Sequence, residues 1–123
     1  MDKPHKKLDV WKLSMELART IYRLTASFPI EERYGLISQM RRAAVSIPSN
    51  LAEGAARDSS NEFRNFLSIA RSSLSELDTQ LDLSQELGFI TENSRYEVDR
   101  LLTRIDKMLY ALHQLKKCAV PAK

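Results

Sequence analysis

Apolar residues recur at alternating steps of four and three along nearly all of this 123-residue chain, and no segment alternates with the period of two that a half-buried strand requires. Phe63, Leu67, Ala70, Leu74, Leu77 and Leu81 form one stripe; Val98, Leu102, Ile105, Leu109, Leu112 and Leu115 form another beyond Leu87-Gly88. Such spacing keeps side chains on one side of an α-helix. Three glycines and four prolines leave little material for turns, so the elements must be few and long. The pattern predicts an all-α fold, an antiparallel up-down four-helix bundle, built as a single domain over residues 1-123.

Local signals set the boundaries. The first helix is expected from near Asp9 to about Ala26, ending before Phe28-Pro29 because a residue preceding proline is pushed out of the helical region. The second runs from about Glu32 to Ala56, with Leu36, Met40, Ala43, Ala44, Ile47 and Leu51 inward. Ser59 followed by Glu62 reads as a capping box that starts the third, and Gly88 as the left-handed residue that closes it. Thr91 caps the fourth, which continues to about Lys117. The tails, residues 1-7 and 119-123, carry too little apolar surface to order and are expected to be flexible.

Pro48 stands in the middle of the second helix, where the apolar stripe carries on past it. Proline lacks an amide and its ring collides with the carbonyl four residues back, so a kink is expected here. Gln39, Ala43, Ser46, Asn50, Glu53 and Arg57 line one side of the same helix. Gln39, Ser46, Asn50 and Glu53 are expected to meet neighbouring helices and to use the carbonyls that Pro48 frees, since buried polar groups need partners. The first helix bears two apolar stripes: Trp11, Met15, Ala18 and Tyr22, then Val10, Leu13, Leu17, Ile21 and Leu24. One bundle core accommodates only one of them, which points to a homo-oligomer.

The chemistry of most enzymes has no residues to stand on. His5 and His113 lack neighbours at metal-ligand spacing, and no HExxH, CxxC or ExxH occurs, so neither a metal nor a cofactor is expected. Both histidines read as solvated or partly packed. The serines lack a GxSxG setting, and Gly35, Gly54 and Gly88 are too dispersed to cradle a phosphate. Cys118, the single cysteine, sits at a helix end where the dipole disfavours a thiolate, and it cannot form an internal disulfide. With no membrane-spanning run and no signal-peptide pattern, a cytoplasmic protein is expected.

Net charge is +3, and the basic residues fall into groups: Lys3, Lys6 and Lys7; Arg41 and Arg42, then Arg57, Arg64 and Arg71; Arg100, Arg104 and Lys107. Acidic neighbours dilute each group, but an oligomer would repeat the patches about its axis. Arg41, Arg42, Arg57, Arg64 and Arg71 are the candidate contacts to RNA or DNA. A structural or protein-interaction bundle with no nucleic-acid role is the alternative.

Several motifs carry a resemblance: Leu8-Asp9-Val10-Trp11, Tyr34-Gly35-Leu36, Gln39-Met40-Arg41-Arg42-Ala43-Ala44, Ser46-Ile47-Pro48-Ser49-Asn50-Leu51-Ala52-Glu53-Gly54 and Ser73-Leu74-Ser75-Glu76-Leu77. Over about residues 8 to 117 the chain resembles the bacterial four-helix-bundle family encoded in intervening sequences of 23S ribosomal RNA genes. That family also includes the accessory variability determinants of diversity-generating retroelements. The resemblance implies a ring-shaped homopentamer without catalytic activity and, for the more basic retroelement members, binding to nucleic acid and to a reverse transcriptase.

Overall fold

Four helices account for most of the chain in a computed structural model, which describes residues 1–118. They are α1 (Asp9–Thr25), α2 (Leu36–Ala55), α3 (Ser60–Glu86) and α4 (Glu92–Cys118). Short 3-10 turns at Pro4–Lys7 and Ile30–Glu32 precede the first two, and no strand occurs among the described residues.

The capping chemistry acts where the sequence placed it. Ser59 Oγ accepts the amide of Glu62 at 3.0 Å, and Thr91 Oγ1 accepts that of Ser94 at 3.1 Å, each removing an orphaned donor from a helix start. Gly88 has φ +80°. Its amide bonds the Gln85 carbonyl at 3.0 Å and that of Phe89 bonds Ser84 at 2.9 Å, the paired arrangement of a Schellman closure. The turn then lets Phe89 pack on Phe28, with ring centroids 5.4 Å apart.

Each helix packs against its sequence neighbours, and α1 closes the ring against α4; the backbones of diagonal helices do not approach. Cross-helix contacts run in opposite residue order, which makes every neighbour antiparallel. Met40, Ser46 and Gly54 of α2 face Ser84, Ser73 and Phe63 of α3, while Asp82 and Arg71 of α3 meet Arg95 and Tyr110 of α4. The core is the expected stripe set: Leu17, Ile21, Met40, Ile47, Leu51, Leu67, Leu77, Leu81, Ile105 and Leu109 are fully buried. Leu115, expected inside, is 63% exposed, while its chain neighbour Lys116 takes the position over the Phe63 ring of α3.

Other expectations need correction. α2 starts at Leu36 rather than about Glu32, since Glu31 and Glu32 are taken up in the 3-10 turn and Gly35 stands at the helix N-cap. Pro4–Lys7, expected as loose tail, forms an ordered turn whose His5 ring meets Trp11 edge-on at 5.0 Å. That contact changes the argument from α1. Trp11 and Met15 are half-buried, Ala18 is buried, and only Tyr22 of that stripe remains open, at 46%. Much of the apolar surface expected to need another subunit is thus covered within the chain. Residues 119-123 lie outside the described residues.

α2 continues as helix through a buried Pro48. Of the polar stripe, Ser46 and Asn50 are joined: Ser46 Oγ lies 2.8 Å from Ser73 Oγ on α3, and Asn50 Nδ2 donates to the Ser46 carbonyl at 2.7 Å and to its hydroxyl at 2.9 Å. The carbonyl served is that of Ser46, not that of Ala44, whose helical donor Pro48 removes. Gln39 and Glu53 are exposed, because their positions fall toward the outer edge of the helix; Glu53 pairs instead with Arg57 at 3.3 Å.

Candidate nucleic-acid interface

The five candidate arginines do not form one patch. Arg41 and Arg57 are about 24 Å apart along α2 at ~1.5 Å rise per residue. Arg41 is occupied at the far end from the N-terminal turn. Its Nε donates to Thr25 Oγ1 at 2.9 Å and its Nη2 to the Tyr22 carbonyl at 3.2 Å, with the guanidinium 4.5 Å above the Tyr22 ring. It ties the negative end of the α1 dipole to α2. Arg42 is exposed beside it.

The other three gather with further cations at the opposite end. Arg57 lies 5.1 Å from the Phe66 ring, Arg64 donates to Asn61 Oδ1 at 2.8 Å, and Lys116 sits 4.9 Å over Phe63. The Pro4–Lys7 turn brings the basic tail to the same end, where Lys3 and His5 share a crevice with Ala52, Ala56 and Arg57. Arg71, one layer inward, stacks 5.3 Å from Tyr110 and has no hydrogen-bond or ion-pair partner among the described residues; its Nε is buried.

His113 is the residue that sequence reasoning undervalued. It is half-buried between α3 and α4, with Nε2 3.3 Å from Ser68 Oγ. Burial, then the charges of Arg71, Arg64 and Lys117, hold its pKa below the ordinary histidine value. A serine–histidine contact invites comparison with a nucleophile and its base. Here, however, the groups around the ring are cations that weaken its basicity, the opposite of the carboxylate that supports a catalytic base.

The same α3–α4 groove turns acidic toward its other end. Arg95, with a side chain 9% exposed, bonds Asp78 at 2.6 Å, Asp82 at 2.7 Å and Asp99 at 2.8 Å. Burial opposes its charge, but the hydrogen bonds to Asp99 and Asp82 outweigh that and raise its pKa. One cation among three carboxylates leaves this end negative. Arg95 was not singled out in the sequence; the available signal was two i,i+4 pairs, Asp78 with Asp82 and Arg95 with Asp99, on consecutive helices. Arg100, Arg104 and Lys107 are exposed along the outside of α4, remote from the basic end. Among the described residues no group of three or more His, Cys, Asp or Glu could hold a metal ion, and no helix is long and apolar enough to cross a membrane.

Comparison with other proteins places this geometry in context. No curated protein matches the chain. A solved structure that is similar comes from Bacteroides thetaiotaomicron VPI-5482 and is described as a protein with unknown function from the S23 ribosomal protein family. It superposes with a TM-score of 0.79 at 26% identity, covering 85% of this chain and 95% of that one. The profile of the family described as 23S rRNA-intervening sequence protein matches residues 6–111. Because that match spans most of the chain, the chain belongs to the 23S rRNA-intervening sequence protein family.

Proposed function

We propose that this protein is a non-enzymatic, oligomeric helical bundle that contacts RNA or DNA through the basic end of the bundle. The observation that carries the reading is the gathering of Lys3, Arg57, Arg64, Lys116 and Lys117 at one end, with Arg71, which has no ion-pair partner among the described residues, just behind them. Cations placed this way concentrate positive charge at that end, where Glu53 is the carboxylate in the same crevice. Arg41 and Arg42 take no part in that patch, so of the five arginines Arg57, Arg64 and Arg71 are the contacts. A homopentameric ring, the assembly that the family resemblance implies, would present the patch five times. A reverse transcriptase is the protein partner that kinship with retroelement accessory proteins would add.

The alternative, a protein-interaction bundle, draws on the acidic half of the groove and on exposed Ile69 and Leu83 of α3. Salt dependence separates the two. Phosphate contacts predict that log affinity for a single-stranded oligonucleotide falls against log salt with a slope of about −0.7 per contact. Replacing Arg57, Arg64 and Arg71 with glutamine should reduce that slope by about 2. No binding at low salt, or a slope near zero, overturns the nucleic-acid reading. Light scattering gives the assembly, and a single-chain mass at micromolar concentration removes the oligomer.

A further inference from the structure

The basic end contains a place whose chemistry is more specific than a charged surface. Arg71 lies in the wall between α3 and α4 with its guanidinium 5.3 Å from the Tyr110 ring, and it makes neither an ion pair nor a hydrogen bond among the described residues. An arginine so held has lost side-chain freedom without gaining an anion, whereas Arg57 and Arg95 each hold a carboxylate. One α-helical turn up the groove, His113 Nδ1 is likewise buried and unpartnered among the described residues, while its Nε2 meets the Ser68 hydroxyl. Arg64 and Arg71 from α3 and Lys117 from α4 all impose positive charge on that ring. The groove beside Arg71 is lined by Ser68, Ser72 and Ser75 of α3, with Asp106 of α4 the carboxylate on the facing wall.

We propose that Arg64, Arg71 and Lys117, around His113 and with the Ser68 hydroxyl, form a phosphate-binding seat in the α3–α4 groove. This rests on the nucleic-acid reading for its natural occupant, a backbone phosphate. A planar guanidinium fork matches two phosphate oxygens, the hydroxyl supplies a further donor, and an anion here neutralises three cations that otherwise repel one another. Carboxylate ligands fit less well, since they offer two oxygens to donors that approach from two helices. The imidazole acts as reporter and fourth cation: the negative charge of a bound phosphate offsets the positive field at the ring, so His113 takes up a proton more readily as phosphate enters. Binding therefore strengthens as pH falls toward the His113 transition.

The full chain is titrated with inorganic phosphate and, separately, with a single-stranded oligonucleotide, reading the His113 imidazole by NMR. Both ligands are expected to raise the His113 pKa, and Arg71→Gln to weaken phosphate binding about tenfold. Arg71→Lys, which keeps the charge and loses the fork, should fall between the two. His113→Gln should abolish the pH dependence of oligonucleotide binding, whose phosphodiesters do not titrate in this range, while leaving the helical circular dichroism unchanged. A ring that responds to neither ligand overturns the seat. Oligonucleotide binding that leaves His113 silent also overturns it and leaves the nucleic-acid reading standing; a response to phosphate without oligonucleotide binding supports the seat and removes that reading.

Discussion

Arg95 and His113 show how differently the same helix pair treats a buried polar residue. Arg95 is surrounded by acceptors, and its three partners are 55%, 66% and 47% exposed, so removal of the guanidinium returns those carboxylates to water. Arg95→Leu should accordingly cost about 1–2 kcal/mol, short of the loss expected for a fully buried pair, as read by urea unfolding. Asp99→Asn should cost less than half of that. His113 is surrounded by cations, and the folded protein therefore binds its proton less readily than the unfolded chain does. Stability contributed by the neutral ring is present above the unfolded-state value of about 6.5 and declines as pH falls through it toward the lower folded-state pKa. NMR titration of the free protein should place the His113 midpoint below ~6.5, and Arg64→Gln or Arg71→Gln should move it upward. A midpoint unmoved by both substitutions would show that burial alone sets it.

At the scale of elements, the close approach of α2 and α3 is set where they leave their connecting turn. A Cβ on Gly54 would stand 2.8 Å from Phe63 Cδ1 and 2.9 Å from Phe66 Cβ, distances that side chains do not tolerate. Gly54→Ala should therefore destabilise by about 1–3 kcal/mol in thermal or urea unfolding, although alanine is the better helix former. An unchanged or raised midpoint would mean that the helices part there at no cost. The sequence announced neither this role nor the partner of Asn50: it placed Gly54 on a helix but held no information on which aromatic rings would face it. What it did announce came from local rules. Ser59, Gly88 and Thr91 act within three or four residues of themselves, and the four-three stripes report burial without naming a neighbour. Arg71 and His113 belong to another category. Their significance is a meeting between residues distant in sequence on two different helices, Arg71 with Tyr110 and His113 with Ser68, which no spacing on either helix encodes. The Pro4–Lys7 turn escapes a reading by apolar content for a different, local reason: His5 packs edge-on against the Trp11 ring six residues on, while the turn buries no residue of its own.

For the whole molecule, the ring of neighbours described above has a kinetic meaning. Three of the four helix–helix faces join consecutive segments through short connections, residues 26–35, 56–59 and 87–91, and only the seam between α1 and α4 spans the length of the chain. Loop-closure entropy is therefore small for every step but one. Hairpins α1–α2, α2–α3 and α3–α4 can each form from nearby residues, with the seam closing over them. The main refolding phase after stopped-flow dilution from urea should be finished within about 10 ms and be independent of protein concentration. A dominant phase of seconds that accelerates with concentration would instead mean that the chain reaches this shape only against another copy of itself. The order of neighbours thus favours a chain that reaches its shape alone, a finished part that needs no second copy as a template.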